Sequence, residues 1–264
     1  MRIYLVIGNP IAHSLSPKLH NHWIKANQID AIYEKKEIND DEIKNYITEV
    51  RQKKINGINV TVPFKSSIIP FLDTLSPEAK ITQSVNTIFL DKGKVVGHNT
   101  DIEGFEKSIK HARYEVSGKK VLILGSGGVV PSIIFALQKM KALKIIISNR
   151  TKEKAKRLKK IFEQIDLVDW GEIPDFDMII NATSVGLKKE DTLGINFSKI
   201  GKNKFFYDVI YNPKKTKFLK IGEELGNKIE NGKMMFIYQA QKSFQKWNEI
   251  LPEINKEVED LLDD

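Results

Sequence analysis

A glycine-rich turn between a strand-like and a helix-like segment constrains the fold of this chain more than any other feature. The apolar run KKVLILG (119–125) leads into Gly125-Ser126-Gly127-Gly128, and the helical pattern PSIIFALQKM (131–140) follows. A second strand-like run, KIIISNR (144–150), comes next. Pro131 stands in the first turn of the helix, where its missing N–H costs little. This order predicts a βαβ unit in a parallel sheet.

The turn has the composition that a dinucleotide pyrophosphate requires. Glycine lets the backbone approach the phosphates, and the helix N-terminus that follows favours an anion. The G-x-G-x-x-G pattern is incomplete because Val130 stands at the third glycine position. No Gly-Lys-Ser/Thr follows, which excludes a P-loop. On these residues alone, the turn is either a dinucleotide site or a plain connection between a strand and a helix.

The end of the second strand indicates which dinucleotide would bind. NAD enzymes usually place Asp or Glu there, on the ribose 2′-hydroxyl. This chain has Asn149-Arg150-Thr151, followed by Lys152 and Lys154. A carboxylate would repel a 2′-phosphate, whereas an arginine can bind it through paired, charge-assisted hydrogen bonds. The sequence therefore favours NADP over NAD.

These residues lie in a strongly basic segment. Between Lys139 and Lys160, ten basic residues stand against one acidic residue, Glu153, in a chain of net charge +8. A nucleic-acid-binding patch is one interpretation, and a solvated helix face is another. In a third, only the first cations contact a cofactor phosphate and the remaining lysines face water.

The rest of the chain alternates strand-like and helix-like segments, which again favours βαβ units. Asp40 is expected to cap a helix from 41 to about 53. Strands are predicted at 177–181 and 205–210, with a helix after each, and a last amphipathic helix at about 252–262.

Two predicted strands of the first half are followed by side chains suited to proton transfer. Lys65 follows GINVTV (57–62), and Asp101 follows KVVG (94–97). Ligands bind at the carboxyl ends of parallel strands, so the two side chains could meet there. A lysine beside a carboxylate can donate a proton to a developing alkoxide. The spacing fits a structural ion pair at least as well.

Composition excludes several functional classes. There is no cysteine, so disulfides and thiolate chemistry are absent. No apolar run approaches the roughly 18 to 20 residues of a membrane helix, and the N-terminal run is too short for a signal peptide. With 41% hydrophobic and 29% charged residues, the composition is that of an ordinary globular protein. We expect a cytoplasmic protein without a metal site.

Nine stretches of the chain, in order, resemble the shikimate dehydrogenase family along nearly its whole length. The glycine turn alone is common, but nine motifs in this order are highly specific. The stretches are GNPIAHSLSPKLHN (8–21), NVTVPFK (59–65), VNT (85–87), GHNTDIEGF (97–105), GSGGVVPS (125–132), NRT (149–151), NATSVGL (181–187), DVIYNP (208–213) and YQAQKSF (238–244).

The resemblance implies an α/β fold with two domains flanking a cleft. An N-terminal, mostly parallel α/β sheet domain (1–101 with 238–264) would bind substrate and carry catalysis. A Rossmann-like domain (102–237) would bind NADP. The implied reaction is the reversible NADPH-dependent reduction of 3-dehydroshikimate to shikimate. We expect a monomer or homodimer that needs neither nucleic acid nor membrane.

The resemblance also implies residue roles. Lys65 and Asp101 would be catalytic and would also bind substrate. The other implied substrate contacts are Ser14, Ser16 and Tyr211 at the carboxylate, and Thr61, Asn86 and Gln239 at the ring hydroxyls. The implied cofactor contacts are Gly125, Ser126, Gly127, Gly128 and Val129 at the pyrophosphate, Asn149, Arg150, Thr151 and Lys154 at the adenosine phosphate, and Ile210 and Gly232 at the nicotinamide. On the residues alone, Ser14 and Ser16 could instead cap the helix that begins near Pro17.

Some positions depart from the family pattern, and two other functions stay open. Gln83-Ser84 replaces Gly-Ala, Ser126 replaces alanine, and Gln241-Lys242 replaces a small or acidic pair. A quinate/shikimate dehydrogenase would share the Lys-Asp pair, but such relatives often use NAD and carry an acidic residue at the position of Arg150. A regulatory NADP-binding or nucleic-acid-binding protein would not need the acid–base pair.

Overall fold

The computed structural model describes residues 1–188 and 190–263. Spatial contacts divide the chain into two compact units, Met1–Gly104 with Ile237–Asp264, and Phe105–Phe236. These bounds differ by a few residues from the domain boundaries predicted from the sequence. Across the described ranges, none of the helices combines the length and the apolar character needed to cross a bilayer.

The first unit is a six-stranded sheet with helices packed on it. Its N-terminal part contains β1 (Arg2–Gly8), α1 (Ser16–Ala26), β2 (Ala31–Glu37), α2 (Ile43–Arg51), β3 (Gly57–Val60), β4 (Thr74–Leu75), α3 (Pro77–Thr82), β5 (Thr87–Asp91), β6 (Lys94–His98) and the start of α4 (Asp101–His111).

The second unit is also a six-stranded sheet. It contains β7 (Lys120–Leu124), α5 (Val130–Lys139), β8 (Lys144–Ser148), α6 (Lys152–Ile161), β9 (Asp166–Val168), β10 (Met178–Asn181), β11 (Phe205–Asp208), α7 (Lys217–Glu224) and β12 (Lys228–Glu230). The chain then returns to the first unit through α8 (Lys233–Asn248) and ends with α9 (Lys256–Asp260).

The topology of the first sheet places two strand ends at one edge. Its strand order is β2-β1-β3-β5-β6-β4. Strand β5 is antiparallel to both β3 and β6, so β3 and β6 run in the same direction. Their carboxyl ends therefore open at the same edge of the sheet. The hairpin between β5 and β6 turns through Lys92 and Gly93, whose φ angles of 47° and 78° suit a two-residue turn.

The second sheet is parallel throughout its described pairs, in the order β12-β11-β10-β7-β8-β9. Counted from β7, this is the doubly wound dinucleotide-binding order, in which the direction of winding reverses between the first and fourth strands. Strands β10 and β11 are buried along their whole length, as expected for a sheet covered on both faces. The reversal lies between β7 and β10, next to the glycine turn. The two-domain α/β fold predicted from the sequence is confirmed.

Three local predictions were wrong. Asn39, rather than Asp40, caps the segment before α2, because its side chain forms a capping box with Glu42. No helix follows β10 in the described residues of 182–204, where Gly186 and Gly194 adopt φ angles of +119° and +66°. The last helix begins only at Lys256 because the Asn255 side chain accepts a hydrogen bond from Val258 N at 3.0 Å and caps it there.

Candidate active site

A buried ion pair lies at the carboxyl edge of the first sheet. Lys65 follows β3 and Asp101 begins α4 directly after β6. The Lys65 Nζ atom lies 2.6 Å from Asp101 Oδ2, and the two side chains are 11% and 7% exposed. The structure therefore brings together the two residues that the predicted strand ends could place side by side.

Asn86 holds the other carboxylate oxygen. Its Nδ2 donates to Asp101 Oδ1 at 2.9 Å and lies 3.3 Å from Gln239 Oε1. Its Oδ1 accepts from the backbone N–H of Thr100 at 2.7 Å, which fixes the orientation of the amide. Asp101 thus has a donor on each oxygen. The ammonium of Lys65 has three N–H groups, and Asp101 accepts from one of them.

A network of neutral polar side chains lies beneath this pair, and sequence reasoning did not single it out. Asn59 Nδ2 donates to the backbone oxygen of Asn86 and to Ser243 Oγ, each at 3.0 Å. Tyr33 Oη donates to Asn59 Oδ1 at 2.7 Å. Asn59 and Ser243 stand inside two of the family motifs. The sequence feature that could have revealed this network is an uncharged polar residue, such as Asn59 or Ser243, within a strand or helix face that is otherwise apolar.

The predicted carboxylate contacts flank the start of α1. Ser14 Oγ accepts from Ser16 N at 3.3 Å, and the Ser16 hydroxyl is hydrogen-bonded to the Tyr33 phenol, whose pKa burial raises well above its usual range. The N-cap of α1 is Leu15, which makes no side-chain cap bond. Ser14 therefore supports the turn as an acceptor while its own proton can still be donated. Helix support and ligand binding are therefore compatible at Ser14. The Ser16 hydroxyl already donates to Tyr33, whose own proton goes to Asn59, so Ser16 would have to turn away from Tyr33 to bind a ligand.

Two further contacts near the start of α1 involve Thr61, which packs on Gly8, and His20, which stacks on Tyr33. The methyl group of Thr61 lies 2.5 Å from the position that a Cβ on Gly8 would occupy, so only glycine fits beside it. The His20 ring stacks on Tyr33 at 4.2 Å, and burial lowers the pKa of His20 to about 3. A neutral imidazole therefore packs against the phenol that contacts Ser16.

The glycine turn in the second unit fits a pyrophosphate. Gly125 has φ +110°, and a Cβ there would lie 2.9 Å from the backbone oxygen of Ala182. Val129 is the N-cap of α5 and provides no side-chain cap bond. The Ser126 Oγ atom is buried and has no hydrogen-bond partner within the described residues. An unpartnered hydroxyl in a glycine turn at a helix N-terminus is suited to a phosphate oxygen.

The residues after β8 present cations to solvent. Asn149 Nδ2 donates to the backbone oxygen of Thr151 at 2.8 Å, which shapes the turn before α6. Arg150 and Lys154 are exposed, while Lys152 is paired with Asp169 at 2.7 Å. Arg150 and Lys154, the two cations predicted to contact a 2′-phosphate, are therefore exposed, whereas Lys152 is engaged by Asp169.

Several cations of the basic segment are engaged by the protein itself. Lys139 pairs with Glu106 at 2.6 Å and Lys144 pairs with Asp166 at 2.9 Å. Lys159 Nζ donates to the backbone oxygen of Ile165 at 2.6 Å. The two ion pairs reduce the positive field that a nucleic-acid patch would need.

The predicted nicotinamide residues lie together at the end of β11. Gly232 N donates to the backbone oxygen of Ile210 at 3.1 Å, and a Cβ on Gly232 would overlap the carbonyl of Val209. Tyr211 stacks on Phe236 at 4.4 Å. Tyr211 belongs to the second unit, so its contact with the substrate carboxylate stays a prediction.

The departure at Gln83 has a structural explanation. Gln83 ends α3 with φ +48°, a left-handed conformation that glycine adopts most easily. The side chain is exposed, and its Nε2 donates to the backbone oxygen of Lys80 at 2.6 Å. Gln83 therefore occupies the position by turning its side chain outward.

Comparison with known proteins identifies relatives over the whole chain. Residues 6–88 match the family described as the shikimate dehydrogenase substrate binding domain, and residues 107–209 match shikimate / quinate 5-dehydrogenase. The NADP(+) shikimate dehydrogenase of Pelagibacter ubique is 58% identical, with 99% of both chains covered.

Solved structures that are similar to this chain belong to the same family as the relatives found by sequence. Shikimate dehydrogenase from Aquifex aeolicus superposes with a TM-score of 0.91 at 40% identity, covering 99% of this chain and 97% of that one. Shikimate 5-dehydrogenase from Thermus thermophilus, in complex with NADP(H) and shikimate, superposes with a TM-score of 0.90 at 28% identity. The superposition covers 100% of this chain and 99% of that one. The chain belongs to the shikimate dehydrogenase family.

Proposed function

We propose that this protein is an NADP-dependent shikimate dehydrogenase that reversibly reduces the ketone of 3-dehydroshikimate to the hydroxyl of shikimate. The observation that carries the proposal is the buried contact of 2.6 Å between Lys65 Nζ and Asp101 Oδ2. Ketone reduction needs a proton donor at the oxygen, and this pair supplies one at the substrate edge of the first sheet.

The second unit offers the groups that NADP requires. Gly125 to Val129 would hold the pyrophosphate, with the Ser126 hydroxyl as donor. Arg150 and Lys154 would bind the 2′-phosphate, with Asn149 and Thr151 shaping the turn. Ile210 and Gly232 would line the nicotinamide pocket. The bound cofactor supplies the hydride that reduces the carbonyl carbon.

Lys65 has the central role in proton transfer. As negative charge grows on the carbonyl oxygen, the ammonium donates its proton to that oxygen. Asp101 accepts from Lys65 on one oxygen and from Asn86 on the other, so it holds the ammonium in place while remaining an acceptor. In the reverse direction, neutral Lys65 takes the proton of the shikimate hydroxyl.

The remaining groups would orient the substrate. Ser14 would donate to its carboxylate, and Ser16 would do so by turning its hydroxyl from Tyr33, with Tyr211 assisting. Thr61, Asn86 and Gln239 would bind the ring hydroxyls. The contact between Asn86 and Gln239 places two of these groups within hydrogen-bonding reach of each other at the ion pair.

A spectrophotometric assay tests the proposal. Purified protein is given shikimate and NADP, and the absorbance of reduced nicotinamide is followed, with quinate and NAD as comparison substrates. We expect turnover with shikimate and NADP, and much less with either replacement. Efficient use of quinate with NAD would favour the quinate/shikimate alternative. Salt-sensitive DNA binding without any turnover would favour a binding protein.

We also propose that the protein acts in the cytoplasm, as a monomer or homodimer, and needs neither nucleic acid nor membrane. The proposed substrate is a small polar acid, which a protein without a bilayer-spanning helix in its described residues can bind from water. Cell fractionation tests the location, and light scattering on the purified protein tests the oligomeric state.

A further inference from the structure

A buried carboxylate lies at the cofactor edge of the second sheet, outside the residues discussed above. Asp208 ends β11 and is 0% exposed. Its Oδ2 accepts from Thr216 Oγ1 at 2.6 Å, and its Oδ1 accepts from Ile210 N at 3.0 Å. The amide of Asn181 donates to both oxygens, at 3.1 and 3.2 Å. All of these partners are neutral donors, so the site fits an ionised carboxylate.

Through these partners Asp208 reaches the loops that follow three strands. The bond from Ile210 N fixes the segment that Gly232 packs against. Asn181 Oδ1 in turn accepts from Thr183 Oγ1 at 2.7 Å. Thr183 and Ala182 are the residues closest to a Cβ on Gly125, in the glycine turn. One carboxylate therefore links the turn after β7, the loop after β10 and the loop after β11.

The ionised carboxylate of Asp208 lowers the free energy of unfolding. Burial raises the pKa of Asp208 from 3.8 to about 6, although bonds from Thr216, Ile210 and Asn181 oppose the shift. A group that binds protons more tightly when folded contributes less stability as the pH rises from its unfolded to its folded pKa. Near neutral pH the ionised group thus opposes folding. A buried carboxylate of this kind is a candidate for a functional role.

The described titratable groups on the elements beside Asp208 are not bonded to it. They include Tyr207 on the same strand, Glu230 on β12, Lys217 in the first turn of α7 and Lys188 after the loop that follows β10. In the described parts of the chain, none of these makes an ion pair or a hydrogen bond with its carboxylate.

We propose that Asp208 is a positioning residue for NADP: its ionised carboxylate fixes the Ile210 segment and, through Asn181, the loop that packs on the glycine turn. The inference rests on the proposed function. It goes further because it assigns the shape of the nicotinamide side to a residue that touches neither cofactor nor substrate.

The test is NADPH binding, measured by the fluorescence of the bound cofactor. Asp208→Asn keeps the size of the side chain but places an N–H₂ group, itself a donor, against groups that donate to the carboxylate in the parent protein. We expect the dissociation constant of NADPH to rise about tenfold or more. The dissociation constant of shikimate should change much less, because the proposed shikimate contacts lie in the first unit except for Tyr211. Asp177→Asn is the matched control, since Asp177 lies at the opposite end of the same sheet and accepts from Lys120 N; it should leave both constants unchanged.

The pH dependence of NADPH binding distinguishes a positioning role of Asp208 from a general structural role. Below about pH 6 Asp208 of the parent protein becomes protonated, so the ratio of the variant and parent dissociation constants should fall toward one. The titration of the cofactor phosphate affects both proteins equally and cancels in that ratio. A ratio that does not change with pH would overturn the inference.

A second pair of variants covers the case in which Asp208→Asn does not fold. Thr216→Val removes the donor at 2.6 Å and also the hydroxyl that caps α7 at Leu219 N, whereas Thr216→Ser keeps both, so each variant is first shown by denaturant titration to be folded under the binding conditions. We expect weaker NADPH binding in the valine variant and parental binding in the serine variant. Parental NADPH binding in Asp208→Asn, or in Thr216→Val, would overturn the inference. A parent protein that neither binds NADPH nor oxidises shikimate would instead refute the proposed function.

Discussion

Each unit contributes one half of the candidate residues, and the two halves are built in different ways. In the first unit, Lys65 and Asp101 are buried and held by Asn86 and the side chains beneath it. In the second unit, the cofactor edge consists of a glycine turn and of cations, Arg150 and Lys154, that lie in solvent. Charges act more strongly when they are removed from water. The buried half should therefore control the rate of the chemical step, and the exposed half the choice of cofactor.

The largest effect should come from the buried half. Lys65→Met should lower kcat about 10²–10⁴-fold, because a positioned proton donor is lost. The dissociation constant of shikimate should change much less. Steady-state kinetics and a binding titration separate the two quantities. Lys139→Met is the control, since Lys139 is a half-exposed lysine paired with Glu106, and kcat should be unaffected. A Lys65→Met enzyme with parental kcat and poor shikimate binding would show that Lys65 only binds.

Arg150→Ala tests the exposed half. We expect KM for NADP to rise about ten- to a hundredfold, because a hydrogen bond to a charged group contributes about 1.5–3 kcal/mol. NAD use should hardly change. Lys152→Ala is the matched control, because Lys152 is already paired with Asp169, and its KM for NADP should stay near the parental value. Equal use of NADP and NAD by the parent protein would contradict the assignment.

The carboxylate contacts should give a smaller effect that appears in KM. Ser14→Ala and Ser16→Ala should each cost about 1.5–3 kcal/mol of shikimate binding. The carboxylate is bound alike before and during the reaction, so kcat should be largely kept. If both variants bound shikimate like the parent protein, the two serines would serve only the start of α1.

The smallest effect concerns stability outside both halves. Asn39→Ala removes a capping box and should lower the free energy of unfolding by about 1 kcal/mol. The neighbouring Asp40→Ala should cost only a few tenths of a kcal/mol. Denaturant titration measures both, and kcat should be unchanged in each. A larger loss in Asp40→Ala would restore the cap assigned from the sequence.

The fold could be predicted from the sequence because its strongest signals are local. The glycine turn between β7 and α5 and the apolar runs of β7 and β8 predicted a βαβ unit. Lys65 and Asp101 could be paired because parallel strand ends share an edge. The missed features depend on tertiary structure. Neither the burial of Asp208 nor the contact between Tyr33 and Ser16 can be read from spacing, since both depend on which strands become neighbours.

The central claim is that Lys65 and Asp101 act as one unit. It is tested most directly by the kcat values of Lys65→Met, Asp101→Asn and the double variant, measured at saturating NADP and shikimate. Groups that act together are strongly non-additive, so the double variant should be little slower than the slower single variant. Fully additive losses, with the double variant slowed by the product of the two single effects, would show that the two groups act independently and would contradict the account.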